Sequence, residues 1–147
     1  LLYTAGKAMS VAVPSTMGTL MASGLMEAGK RLKGKTDPGL AEYAALFEGY
    51  AQGVMNLGHA KAGDKTFLDG MLPAAEALRK AEKAGKSLKE AAAEAKKAAR
   101  EGFERTSEMV AVHGRAATRG EASRSLKDPG AAVAALIMEA FERTVRD

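Results

Sequence analysis

The sequence predicts an all-α protein, and three observations carry the prediction. Aromatic residues make up only 5% of the chain, while alanine and leucine abound. Apolar residues recur at 3.6-residue spacing along several segments, which gathers them on one face of a helix. No segment shows the strict alternation of a half-buried strand.

The elements follow in order. Pro14, Ser15 and Thr16 stand before an apolar stretch at 17–28 and read as a helix start. That stretch ends in Lys30, Arg31 and Lys33, basic residues that suit the negative end of a helix dipole. Gly24 to Lys30, GLMEAGK, has the spacing of a phosphate loop, but Arg31 stands where Ser or Thr should hold magnesium and no strand precedes it. It is read as a helix C-terminus. After the loop-like GKRLKGKTDPG at 29–39, the stripe Leu40, Tyr43, Ala44, Phe47, Ala51, Val54 and Met55 predicts a helix over about 39–57.

Leu68, Met71, Leu72, Ala75 and Leu78 predict another over about 65–83, kinked by Pro73, which lacks an amide hydrogen. Asp64 is expected to face the backbone amides, as a cap for a helix beginning at Lys65, or a metal, with Lys65 and Thr66 placing the turn near a ligand. Ser87 with Glu90 forms a capping-box pattern at the head of a helix over 87–110. Its inner face, Leu88, Ala92, Ala95, Ala99 and Gly102, is mostly small, so a neighbour can approach closely; Lys97 with Glu101 and Glu101 with Arg105 decorate the outside. The last helix, about 129–146, buries Val133, Leu136, Ile137, Ala140 and Phe141, with Asp128 as its cap and Pro129 in the first helical position. GRAATRGEASRSLKDPG at 114–130 is a long loop, and long ordered loops in compact domains often carry function.

Composition narrows the class. With 147 residues, the chain is expected to form a single domain, 1–147, with a core of its own. It has no cysteine, so disulfides and thiolate metal sites are excluded, and a cytoplasmic setting is the expectation. The net charge of +4 is spread along the chain, which favours small anions weakly and does not imply nucleic acid. No apolar run approaches the roughly 18 residues of a membrane span, and the opening LLYTAGKAMSVAV lacks the basic start of a signal peptide. The first residue is Leu rather than Met, so residues upstream are expected.

Three helix starts invite a common reading. Ser15 and Thr16, the turn Gly63, Asp64, Lys65 and Thr66, and Asp128, Pro129 and Gly130 each precede an apolar stripe. Each can be an ordinary cap; together, their amide hydrogens and positive dipole ends could surround one polyphosphate. Arg115, Arg119, Arg124 and Lys127 in the 114–130 loop would add charge-assisted contacts. His59 and His113 have no ligand partner at helical spacing, so solvated or capping roles are expected and no metal site is assigned.

GDKTFLD at 63–69, HGRAA at 113–117, Gly120 with Glu121, and DPGAA at 128–132, in this order and spacing, resemble the nucleotide-binding subunit of dihydroxyacetone kinase, the DhaL family. The resemblance covers nearly the whole chain. It implies an antiparallel α-helical barrel of about eight helices at full length, fewer in the residues here, and a kinase subunit that moves a phosphoryl group to dihydroxyacetone held by a DhaK-like partner. It implies ADP or ATP as cofactor. In one branch of the family ATP is the donor; in the other a phosphotransferase-system subunit recharges bound ADP. A homodimer is a further expectation.

Carried over by position, the family's phosphate-contacting turn falls on Ser15, Thr16, Met17 and Gly18, and its other nucleotide contacts on Gly58, Phe67, Arg115, Asp128, Pro129 and Gly130, with Gly63, Asp64, Lys65 and Thr66 between. No catalytic residue is assigned. The family's Gly-Gly-Ala/Thr-Ser-Gly is here Val13-Pro14-Ser15-Thr16-Met17-Gly18, and its Arg-Ser after Gly-Glu is here Ala122-Ser123-Arg124-Ser125. Mg²⁺ is implied too, held by an aspartate-rich loop expected upstream of residue 1. Two alternatives remain open: a kinase subunit for another small keto-sugar or polyol, and a helical binding module without catalysis.

Overall fold

The computed structural model describes residues 1–12 and 15–145. Among them are seven α-helices and no strand: α1 Leu2–Ala12, α2 Thr16–Arg31, α3 Leu40–Gly58, α4 Leu68–Lys83, α5 Leu88–Arg105, the single turn α6 Gly114–Ala117, and α7 Pro129–Thr144. Pro14 and Arg146, expected at the edges of the first and last predicted helices, lie outside the described residues. The all-α expectation holds.

Each long helix packs on the next, α1 on α2 and so on to α5, and α7 returns to lie against both α5 and α4. The direction alternates. The start of α2, the end of α3 and the starts of α4 and α7 meet at one end of the bundle, and the Asp128 amide at the head of α7 donates to Thr106 Oγ1 just past the end of α5, at 2.9 Å.

Leu68, Met71, Leu78 and Met138 are fully buried at the centre. Around them the core is largely alanine, including Ala44, Ala74, Ala91, Ala95, Ala99 and Ala134. Small side chains bring helix axes close, so packing rests on many short contacts rather than on a few large residues. Gly53 and Gly102 carry this to its limit. A β-carbon on Gly53 would sit 2.4 Å from the Ser23 carbonyl oxygen, and one on Gly102 would sit 2.1 Å from that of Asp69.

Caps explain most boundaries. Ser15 accepts the Gly18 amide at the head of α2, and the basic Lys30 and Arg31 close that helix, as GLMEAGK was read. Ser87 and Glu90 form the expected capping box. Asp128 Oδ2 accepts the Ala131 amide at 2.7 Å, with Pro129 in the first turn. α5 is shorter than expected: it ends at Arg105 and a 3₁₀ turn, Thr106–Glu108, follows. Thr106 is fully buried and its hydroxyl serves both the Phe103 carbonyl and the Asp128 amide, so the chain leaves the helix there to meet α7.

Helix α1 was not anticipated. Its sequence is apolar nearly all round, broken only by Lys7 and small polar residues, so it lacks the stripe that announces an amphipathic helix. α4 is unbroken across Pro73. The amide missing there would have bonded the Asp69 carbonyl, four residues back, which Gly102 of α5 covers instead.

Candidate functional site at the helix starts

The GDKT turn is built differently from the sequence expectation. α4 begins at Leu68, not Lys65, and Asp64 does not cap it. The capping carboxylate is Asp69, inside the helix and only 5% exposed: Oδ1 accepts the Gly63 amide at 2.6 Å and Oδ2 the Thr66 amide at 2.7 Å. An internal carboxylate that reaches back over the turn outcompetes one at its head, because it binds both amides at once. Gly63, at φ +91°, and Lys65, at φ +60°, make the reversal.

Asp64 takes another part. Its Oδ2 accepts the Lys61 amide at 2.9 Å and lies 3.0 Å from His113 Nε2, while its carbonyl accepts the Val112 amide. Burial opposes ionisation of Asp64, but the Lys61 amide and His113 outweigh it and hold the carboxyl below the usual range. Both histidines are exposed, as expected, and stand at helix ends: His59 closes α3 in the left-handed region with its amide on the Met55 carbonyl, and His113 precedes α6, its contact with Asp64 being the part the sequence did not reveal.

Lys65 is buried, and its ammonium donates to three main-chain carbonyls: Met109 at 3.0 Å, Ser123 at 2.5 Å and Arg124 at 3.1 Å. Three donors meet three acceptors. Burial lowers its pKa, opposed by the charge of Asp128. The Ser123 hydroxyl, also buried, accepts the Ala111 amide and donates to the Gly120 carbonyl.

These tethers leave a cavity of about 820 Å³ at the end of the bundle where the helix starts meet. Ser15, Thr16 and Met17 line it from α2, Gly58 from the end of α3, Lys65, Thr66 and Phe67 from the turn, and Asp128 and Gly130 from α7. The three helix starts singled out in the sequence thus border one space. Its floor is apolar, with Leu20, Val54 and Leu68, and His113 and Gly114 form part of its wall. Gly130 leaves room beside the turn: a β-carbon there would lie 2.9 Å from the Phe67 amide nitrogen.

Five expected residues do not line the cavity. Gly18 is buried within α2, Gly63 and Asp64 open the turn whose later residues line the cavity, Pro129 is exposed in the first turn of α7, and the exposed Arg115 follows the lining residue Gly114. Of the four basic loop residues, Arg124 is engaged by Glu121 and the Glu108 carbonyl, and Lys127 by Glu104 and the Phe103 ring. Arg115 and Arg119 have no carboxylate partner among the described residues. Asp128 is a carboxylate facing the cavity; burial raises its pKa above the usual value, with the Ala131 amide acting against the shift.

Among the described residues no three His, Asp or Glu side chains gather to hold a metal ion. A divalent cation therefore has no fitted ligand set in them. None of the described helices is long and apolar enough to cross a membrane.

The family model of the DAK2 domain matches residues 1–143. An L-erythrulose 1-kinase of Mycolicibacterium smegmatis is 35% identical over 95% of this chain and 24% of its own length. The ADP-binding subunit DhaL of the PEP-dependent dihydroxyacetone kinase of Escherichia coli is 30% identical over 95% of this chain and 66% of its own. A triokinase/FMN cyclase of Mus musculus is 34% identical over 84% of the chain and 21% of its own length. The chain thus spans a fifth to two thirds of these relatives. The solved dihydroxyacetone kinase of C. freundii superposes on 98% of the chain and 23% of its own, with a TM-score of 0.71 and 24% identity, a likeness of fold.

Proposed function

We propose that this chain, which belongs to the DAK2-domain family, is the nucleotide-binding part of a phosphotransferase that acts on dihydroxyacetone or a closely related keto-sugar. One observation carries the reading: the starts of α2, α4 and α7 border a single cavity, large enough for a nucleotide, whose floor is apolar and whose rim is polar. ADP or ATP is the ligand that such a site suits. When bound, the nucleotide supplies or carries the phosphoryl group.

The residues divide the work by chemistry. First-turn amides of α2, at Thr16 and Met17, and the Phe67 amide beside Gly130 suit phosphate oxygens, since helix starts present unpaired N–H groups and a positive dipole end. Leu20, Val54 and Leu68 suit the flat apolar base. Asp128, an acceptor, suits hydroxyl or amino hydrogens and would repel phosphate. Arg115, next to the lining residue Gly114 and without a carboxylate partner among the described residues, suits a phosphate edge through its planar fork.

The sugar is held by a partner of the DhaK kind, and Mg²⁺ is part of the complete enzyme; the support is the DhaL relative and the charge that phosphoryl transfer develops. A four-carbon keto-sugar is the second reading, favoured by the erythrulose kinase relative. Calorimetric titration with ADP, AMP and adenosine tests the proposal. Affinity should rise at least tenfold from adenosine to ADP, whereas equal affinities, or no heat with any of them, would return the chain to a helical module without a phosphate site.

A further inference from the structure

We infer that Lys65 is a positioning residue: its ammonium acts as a built-in cation that folds the 109–124 loop against the α4 turn, and through that loop it sets the geometry of the nucleotide cavity without touching the nucleotide. The inference rests on the nucleotide reading above. Its ground is a set of contacts that phosphate binding does not need.

The loop has little to hold it otherwise. Between α5 and α7 the chain forms only short turns, most of its residues are exposed, and it adds no large apolar side chain to the core. What orders it is polar: the Ser123 hydroxyl and Arg124 make contacts within the loop and its flanks, and the contacts that tie it to the α4 turn converge on two adjacent residues. Lys65 reaches the carbonyls of Met109, Ser123 and Arg124, so one ammonium joins the two ends of the loop. Asp64 takes the Val112 amide on its carbonyl and His113 on its carboxylate, so the first part of the loop is tied to the same turn. His113 and Gly114, which this fastens, are the loop residues in the cavity wall, and Arg115 follows directly.

A lysine used for phosphate would keep its ammonium toward the ligand. Here all three of its donors are matched by main-chain acceptors, and at the Ser123 carbonyl, the buried one of the three, freeing the ammonium would leave an acceptor unsatisfied. The ligand-facing work passes to what the loop carries.

The test uses the chain with ADP as the probe. Lys65→Met keeps the stem and removes the charge; Ser123→Ala removes the hydroxyl that joins Ala111 to Gly120 and leaves Lys65 intact. Each is followed by amide hydrogen exchange and ADP calorimetry at a temperature where circular dichroism shows the wild-type helix content. Expected for Lys65→Met are at least tenfold faster exchange at Ala111 and Val112, unchanged exchange at the buried Ala95 and Ala99 of α5, and an ADP Kd raised at least tenfold. Ser123→Ala should move both readouts the same way by a smaller factor, and it carries the test if Lys65→Met does not fold.

Loss of ADP affinity with loop protection retained would overturn the inference in favour of direct phosphate contact. Wild-type exchange and affinity in both variants would overturn it as well. Absence of ADP binding by the wild type would instead sink the nucleotide reading, and loop exchange alone would then decide the clamp.

Discussion

Asp69 offers the sharpest test of how the turn at the site is built. Its buried carboxylate receives two backbone amides, at 2.6 and 2.7 Å. A hydrogen bond to a charged group contributes about 1.5–3 kcal/mol, and the Gly63 end of this pair is near solvent, so the lower figure applies to each. Asp69→Ala should therefore cost about 3 kcal/mol, which for a chain of this size lowers Tm by roughly 6–12 °C. Asp69→Asn keeps one acceptor but turns an amide donor toward a backbone N–H, so about 2 kcal/mol is expected. Asp64→Ala serves as the comparison. It removes one amide partner, at the exposed Lys61, and one histidine, and should cost only about 1 kcal/mol.

Urea unfolding followed by circular dichroism measures all three variants. If Asp64→Ala proves the more damaging, or Asp69→Ala stays within about 0.5 kcal/mol of wild type, the assignment of the turn to Asp69 is wrong.

Other outcomes follow from the same structure. Gly102→Ala places a β-carbon 2.1 Å from the Asp69 carbonyl and should destabilise by about 2–3 kcal/mol through overpacking, with a lowered midpoint in the same unfolding assay. The buried Tyr50 phenol is pushed up to about 12, so the folded state resists ionisation; stability is intact below the ordinary value of 10.0 and is lost as pH rises through that window. Phenolate absorbance followed during alkaline titration should show Tyr50 ionising together with loss of helix signal, and Tyr50→Phe should extend the alkaline range. Arg115→Ala should raise the ADP Kd several-fold with Tm unchanged, because the side chain is exposed and has no carboxylate partner among the described residues; a collapse in Tm would make it structural. Arg115→Lys should recover only part of the affinity, since the fork is lost.

What the sequence made legible follows from the range of the interactions involved. α3 was readable from its apolar stripe, α5 from a stripe and the Ser87 and Glu90 box, and the start of α7 from Asp128 with Pro129, which act within one turn. The inner face of α7 was not, since Ala131, Ala134, Ala135 and Met138 are buried there while Leu136, expected inside, is 62% exposed. α1 was not, since a helix apolar on nearly every face has no stripe to detect. At α4 the stripe was right and the boundary was three residues early, because both Asp64 and Asp69 are plausible caps and only the folded turn decides between them.

The gathering of three helix starts around one space could be suspected from repeated cap patterns, and the bundle's alternating direction explains it. The interior of the site was beyond pattern. Lys65 meets its carbonyl partners 44 to 59 residues away, and Asp64 meets His113 at a separation of 49, distances over which neither periodicity nor cap chemistry carries information. Charge was misleading for a related reason. Arg124 and Lys127 stand in the same basic loop as Arg115, yet Glu121 and Glu104 engage them.

The central claim is that the cavity at the helix starts holds a nucleotide, and backbone amide chemical shifts recorded while ADP is added to the wild-type chain test it most directly. The account predicts saturable shifts at Thr16, Met17, Phe67 and Gly130, where the starts of α2, α4 and α7 border the cavity, and smaller ones at His113 and Gly114. Shifts gathered instead along the groove of Lys96, Lys97 and Arg100 between α5 and α7, or no shifts at millimolar ADP, would contradict it.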